Sequence, residues 1–406
     1  MIPRSEIETK KQGYLIDDSI YQRFPVYREA FVTVSYQDTG KIGYNLFLDK
    51  MIGNMIKNMA AGKEGRLQTD NALDFGANAL NLLLGNYGFP NSQYLKWDPL
   101  FVPEMLAARR VDQSPEKLTV MVKNAASLYG SDLTGIAALD HRWVYSHDIV
   151  KPFLIEDCTK PAETDEAFII PKTVNRAIVM AVAMDSEMVE TSPAVPASAA
   201  TSLGYSRMGI AAVSLAEYIR ALGFIAIPCM NDTALSIPLA VDAGLGELGR
   251  HGLLITPEYG PNIRLCKVLT DMPLVPDKPI DFGVESFCDS CHLCAKQCPP
   301  GAISTGTPTM DGVCDNNNPG VRKWYIHAEK CLRFWQENGA SCAVCLAVCP
   351  FTLGIQSMQC FECEKCDTIS GCELQVNTHL RVKYGYLQIQ DWGEKPKVKK
   401  PRRRGL

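Results

Sequence analysis

The stretch "CDSCHLCAKQCPP", residues 288–300, sets four cysteines at spacings of two, two and three residues and follows the last with proline. An iron–sulfur cluster needs several thiolates converging on one small volume, and a tight C-x2-C-x2-C loop delivers three from one turn of backbone. The fourth cysteine, Cys298, points onward, as it does in two-cluster ferredoxins, where it serves the other cluster. A second run is therefore expected, and "CLRFWQENGASCAVCLAVCP" supplies Cys331, Cys342, Cys345 and Cys349, the last again before proline. Reciprocal exchange then gives two sets. Cys288, Cys291, Cys294 and Cys349 hold one [4Fe–4S] cluster, and Cys298, Cys331, Cys342 and Cys345 hold the other. The interval from Cys331 to Cys342 is longer than in a plain bacterial ferredoxin. Zinc or unligated thiols are the alternative, but two proline-terminated runs in one chain favour clusters.

Twelve of the sixteen cysteines fall in three such groups between 288 and 372, so metal explains them better than disulfides do. The third group, "CFECEKCDTISGC", holds Cys360, Cys363, Cys366 and Cys372 but lacks the terminal proline and a partner run. A zinc site, a further cluster and a plain cysteine-rich loop all stay open there. Cys158, Cys229, Cys266 and Cys314 stand alone and read as small buried hydrophobes.

With 46% hydrophobic and 21% charged residues, the chain has the balance of an ordinary globular protein, and its 406 residues allow two or three domains. A net charge of −4 gives no nucleic-acid footprint, the one basic run being "KPKVKKPRRRGL" at the end, read as a solvated tail. The most apolar window, "GIAAVSLAEYIRALGFIAIP", carries Glu217 and Arg220 and reads as a buried helix and strand, not a membrane span. The opening residues show neither an apolar signal core nor a twin-arginine pair. As given, the chain reads as cytoplasmic, or as the mature form of an exported protein.

Residues 1–140 read as a helical and loop unit, with helices over 45–60 and 114–130 and a start at Ser114. Residues 141–275 read as an α/β (α+β) layer. In it "RAIVMAVAMD", "FIAIPCM", "LLITP" and "IRLCKVLTD" are strands, and 206–223 is a helix closed by glycine. The cluster module covers 276–355 and a C-terminal segment 356–406. "GLGELG", Gly244 to Gly249, matches a dinucleotide fingerprint, but that motif requires a helix to begin inside it, and "RHGLLITP" follows instead. A glycine loop of Gly244, Gly246, Gly249 and Gly252, bringing backbone close to a bulky ligand, is the better reading.

A cluster module needs far fewer residues than this chain has, so the α/β unit should hold a second redox centre. Here the sequence resembles the corrinoid-dependent reductive dehalogenases, from "YQRFPVYREAF" to "VNTHLRVKYGYLQ". The resemblance is carried most specifically by "TSLGYSRMG", by "MNDTALSIPLAVDAGLGELGRHGLLITPEYGPNIRLCKVLTD" and by the two cysteine runs with "FW" after Cys331. It implies a nitroreductase-like corrinoid-binding core with a C-terminal ferredoxin-like module. The clusters would feed a cobalamin-type corrinoid that removes halide from an organohalide. Tyr205 matches the proton-donating tyrosine and Arg264 the cation beside it. Asn231, Thr201 and Trp335 match residues around the substrate. No "DxHxxG" segment occurs, in keeping with a base-off corrinoid that has no protein histidine on cobalt. The twin-arginine leader of exported members is missing, and "CFECEKC" departs from the family pattern.

Exchanging carbon–halogen for carbon–hydrogen takes two electrons and one proton, and the hard step belongs to the cofactor. The protein must supply the proton. A phenol is a weak acid at neutral pH, and a guanidinium nearby would stabilise the phenolate and the departing halide. The implied partners are a small organohalide and an electron donor (ferredoxin, flavodoxin or a membrane quinol system), with a membrane-anchor protein and an oligomer left open. Two other readings compete. An epoxyqueuosine reductase acting on tRNA should carry a helical-repeat extension and basic surface, and a two-cluster electron-transfer protein should hold no corrinoid.

Overall fold

The computed structural model describes residues 7–9, 13–39, 44–86 and 95–352. Its centre is a four-stranded sheet built from Leu133–Ala138, Arg176–Ala183, Ile263–Thr270 and Ala226–Cys229, in that spatial order. Every pairing is antiparallel, with Ile263 opposite Ala183 and Thr270 opposite Arg176. The layer is therefore the α+β form of the expected class.

Both faces of this sheet are covered, which is why its strands read as nearly unbroken apolar runs. Along Arg176–Ala183 the side chains alternate. Ala177, Val179 and Ala181 pack with Trp143, Tyr145, Leu239 and the N-terminal residues Tyr21 and Phe24. Ile178, Met180 and Val182 pack with Met208, Leu215 and Ile219 of a long helix and with Leu118 and Val122 of the helix Pro115–Leu128. Ser114 caps that second helix by accepting the Lys117 backbone N–H at 3.3 Å, as the sequence predicts.

The long helix runs Val195–Ala221, starting eleven residues before the expected position 206. Its first half is rich in Ser, Gly and Thr, which read as loop formers. The small residues are there for packing: Ser202 bonds Asp74 and Ser206 bonds the Ala77 carbonyl, both at 2.6 Å, on the helix Gln68–Asn86. Pro196 sits in the first turn, where its missing N–H costs nothing. Arg207, Ser214 and Glu217 lie together on the less buried side, as periodicity predicts.

The glycine motif lies in a hairpin. Glu247–Leu248 pairs antiparallel with Leu254–Ile255, and no helix begins there, so the dinucleotide reading stays rejected. Beyond the sheet, the short helices Val284–Ser290, Leu293–Lys296, Ala328–Asn338 and Val344–Ala347 carry the cysteine runs. The N-terminal segment is stitched across the body. Ile16 bridges Val321, and Arg23 donates to the carbonyls of Val144, Tyr145 and Phe153. Among the described residues no helix is long and apolar enough to cross a membrane.

Candidate active site and cluster ligands

Thr201 and Tyr205 stand one turn apart on the long helix and so share a face. Arg264, on the strand Ile263–Thr270, crosses that face. Its guanidinium donates to the Thr201 hydroxyl at 3.0 Å and lies 5.4 Å from the centre of the Tyr205 ring. Such a cation over a ring is attracted by the π-face. The crossing requires glycine between the two helix residues: a β-carbon on Gly204 would come within 2.7 Å of Arg264 Cγ. From the other side, Asn231 donates its side-chain N–H to the Tyr205 hydroxyl at 2.8 Å. Four of the five residues singled out around the substrate thus meet.

Asn231 is exposed at the tip of a loop whose base is sealed. Lys267, fully buried, donates to the Met230 carbonyl at 2.7 Å and the Ser236 hydroxyl at 3.1 Å. Asp232 accepts the Met230 N–H at 2.9 Å and the Thr233 hydroxyl at 2.7 Å. Burial pulls the Lys267 ammonium down and pushes the Asp232 carboxyl up, while their mutual attraction opposes both shifts. Between them Thr233 holds φ at 64°, a left-handed conformation that is costly for a β-branched residue and persists only where its surroundings fix it.

The eight cysteines of the two runs come together in space. Electrostatic coupling joins Cys294 to Cys349, Cys288 and Cys291, and joins Cys331, Cys342, Cys345 and Cys298 to one another. The two sets adjoin where Cys345 senses Cys294. Burial drives the thiols up, Cys288 and Cys331 to about 12 and Cys345 and Cys349 well above the ordinary thiol value. Buried thiols of this kind ionise only against a bound metal. No group of three or more His, Cys, Asp or Glu side chains among the described residues is arranged to hold a single metal ion.

The second set also borders the Tyr205 group. The Thr201 hydroxyl points at the Met184 sulfur, 4.0 Å away, and Met184 packs in one apolar cluster with Leu253, Leu346 and Cys345. Trp335 lies apart, packed on Phe31 with Phe47, Val34 and Leu332. Its buried indole N–H has no oxygen or nitrogen acceptor and lies toward Cys331, whose thiolate it favours.

The glycine loop's close approaches are to the chain itself. A β-carbon on Gly244 would strike the Lys278 carbonyl, on Gly246 the Ile255 carbonyl, and on Gly249 the Ile255 and His251 side chains, while Gly252 faces Ile326. Close internal approaches account for Gly244, Gly246 and Gly249, and a φ of 77° accounts for Gly252. Cys360, Cys363, Cys366 and Cys372 lie outside the described residues. Sequence reasoning missed Gly204, Met184, Asp232 and Lys267. Only Lys267 left a signal, as the one charge inside the apolar run "LCKVL".

Residues 136–274 match the family described as reductive dehalogenase subunit, and residues 287–352 match a 4Fe-4S double cluster binding domain. The chain is 42% identical over 320 residues to the tetrachloroethene reductive dehalogenase of Sulfurospirillum multivorans, which covers 73% of this chain and 64% of that protein. It is 41% identical over 269 residues to the corresponding enzyme of Dehalobacter restrictus, covering 58% of this chain and 48% of the relative. The chain thus spans less than two thirds of the length of either. Among solved structures, the catabolic reductive dehalogenase NpRdhA (K488Q variant) superposes with a TM-score of 0.62 at 21% identity, covering 94% of this chain and 49% of that one. An epoxyqueuosine reductase from Listeria monocytogenes matches only 118 residues at 30% identity, 29% of this chain.

Proposed function

Since the chain belongs to the reductive dehalogenase family, we propose that it replaces halogen by hydrogen on an organohalide, with electrons relayed through two [4Fe–4S] clusters to a corrinoid. The observation that carries this reading is the Asn231–Tyr205–Arg264–Thr201 constellation, set against the apolar wall that includes Cys345. The antiparallel sheet and its long helix serve as the nitroreductase-like corrinoid-binding core, with residues 276–355 as the electron-delivering module.

The residues present suit a corrinoid. His251 Nε2, Asn262 Oδ1 and Arg264 Nε are buried without a hydrogen-bond partner, and all three lie on the segment 251–264. Unpaired buried donors and acceptors are costly. A macrocycle rimmed with carboxamides offers both kinds of partner. When bound, the corrinoid supplies a low-valent cobalt that accumulates the reducing power for carbon–halogen cleavage. We assign it a base-off state without a protein histidine on cobalt.

Tyr205 supplies the proton. Because Asn231 donates and Tyr205 accepts, the phenolic hydrogen is not spent on Asn231 and stays free for transfer to carbon. As it leaves, charge builds on the tyrosine oxygen, where the Asn231 N–H is already aimed, and the guanidinium over the ring adds stabilisation. Arg264 is itself held by Thr201, so its charge is fixed before reaction. The same cation stabilises departing halide. An external electron donor of the ferredoxin, flavodoxin or membrane-quinol type completes the reaction.

Anaerobic reconstitution tests the reading. The protein should take up roughly one cobalt per chain and release halide from at least one of a haloalkene, a haloalkane and a haloaromatic given a low-potential reductant. A protein that loads both clusters, excludes corrinoid and releases no halide would instead be an electron carrier.

A further inference from the structure

Arg250, in the hairpin after the glycine motif, is wholly shielded from solvent and heads the largest fully buried side chains. Its guanidinium is spent on backbone carbonyls. Nε and Nη2 reach the Cys288 carbonyl at 2.9 and 2.7 Å, Nη2 also reaches Asp289 at 3.3 Å, and Nη1 reaches Ser304 and Gly306 at 2.9 and 2.8 Å. One face lies on the Trp324 ring, 4.7 Å from its centre. No carboxylate stands at ion-pair distance from it among the described residues. Glu247, the acid on the same hairpin, is engaged with the Phe282 and Val284 N–H groups.

A buried guanidinium without a counter-charge costs several kcal/mol, and dipoles of carbonyls offset only part of that. Some anion should therefore stand near it. The guanidinium sits on the backbone carbonyl of Cys288 itself, the first ligand of the first set, and of its neighbour Asp289. A cluster held by thiolates is anionic and gains a further negative charge on reduction. We propose that Arg250 is the buried counter-charge of the cluster held by Cys288, Cys291, Cys294 and Cys349 and holds its reduction potential up. This assigns to the glycine hairpin a task in the cluster module: its tight turn carries one cation from the sheet domain to the first cluster.

The inference rests on the two-cluster reading of the cysteine runs and not on dehalogenation. Its test accordingly uses no organohalide. Parent, Arg250→Gln and Arg250→Lys proteins would be loaded anaerobically, their iron counted, and both clusters titrated by EPR. Cys291→Ser and Cys345→Ser proteins would assign each signal to its set. In Arg250→Gln the first cluster should become harder to reduce by at least tenfold in its reduced-to-oxidised ratio, 59 mV for one electron. The second cluster should stay near its parental potential, and Arg250→Lys, which keeps the charge but loses the fork, should recover most of the shift. Should Arg250→Gln fail to hold the first cluster, retention at near-parental potential in Arg250→Lys supports the charge role, and loss in both variants overturns it in favour of a backbone clamp. Parental potentials in Arg250→Gln, or equal shifts of both clusters, also overturn it.

Discussion

Arg264 passes over Gly204 so closely that a β-carbon there would lie 2.7 Å from its Cγ, and this crossing puts the guanidinium on the Tyr205 ring. A glycine in mid-helix is ordinarily a weakness of about 0.5–1 kcal/mol relative to alanine. Here the cost is accepted because the arginine stem occupies the space where a side chain would stand.

Gly204→Ala should therefore separate stability from activity. The helix gains propensity, while Arg264 must shift and loses its seat on Thr201 and the ring. We expect thermal unfolding within a few degrees of the parent and turnover lower by about 10–100-fold, in line with misplacement of a catalytic group by an ångström or less. Calorimetry and halide release on the same preparation read both quantities. Unchanged turnover would show that the Arg264 position is not needed.

A second prediction concerns pH. Asp242 accepts the Trp143 indole N–H at 2.9 Å, and burial pushes its carboxyl up to about 6, with Asp140 adding to the shift and Trp143 and Arg142 opposing it. The folded chain therefore holds this proton more tightly than the unfolded chain does. The stability it contributes is full below the unfolded value near 3.8 and is lost as pH rises through about 6. Asp242→Asn keeps an acceptor for Trp143 and removes the titration. It should be more stable than the parent at pH 8 by about 1–3 kcal/mol, at 1.36 kcal/mol per pKa unit, with the gap narrowing toward pH 5.5. Urea unfolding of the loaded proteins across that range measures the difference, and a gap independent of pH would contradict the assignment.

The cysteine sets were legible because their chemistry is written in local spacing, which one turn of backbone converts directly into geometry. Three of the four sheet strands were legible, because strands buried on both faces must be apolar throughout, as "RAIVMAVAMD" is; the edge strand Leu133–Ala138 fell in the segment read as helix and loop, and "LLITP" pairs only in the hairpin with Glu247–Leu248. The start of the long helix at Val195 was not, because Ser198, Ser202, Gly204 and Ser206 look like loop formers until the neighbouring helix and Arg264 are in place. Nor could spacing pair Tyr205 with Arg264, fifty-nine positions away; the family resemblance supplied that pairing. The Lys267–Asp232 base of the Asn231 loop depends on a strand and a turn meeting in three dimensions; the lone charge in "LCKVL" marks Lys267, but nothing announces its partner.

The central claim is that Tyr205 delivers the proton, and Tyr205→Phe tests it most directly. Phenylalanine keeps the ring's volume, its packing against the sheet's helical face and the Arg264 contact, so iron and corrinoid content should match the parent. Only the hydroxyl that accepts from Asn231 disappears. Halide release by fully loaded protein should then fall by about 10²–10⁴, the usual worth of general acid catalysis, while Arg264→Lys should lose less. A Tyr205→Phe protein with both clusters and corrinoid in place that dehalogenates at the parental rate would contradict the account.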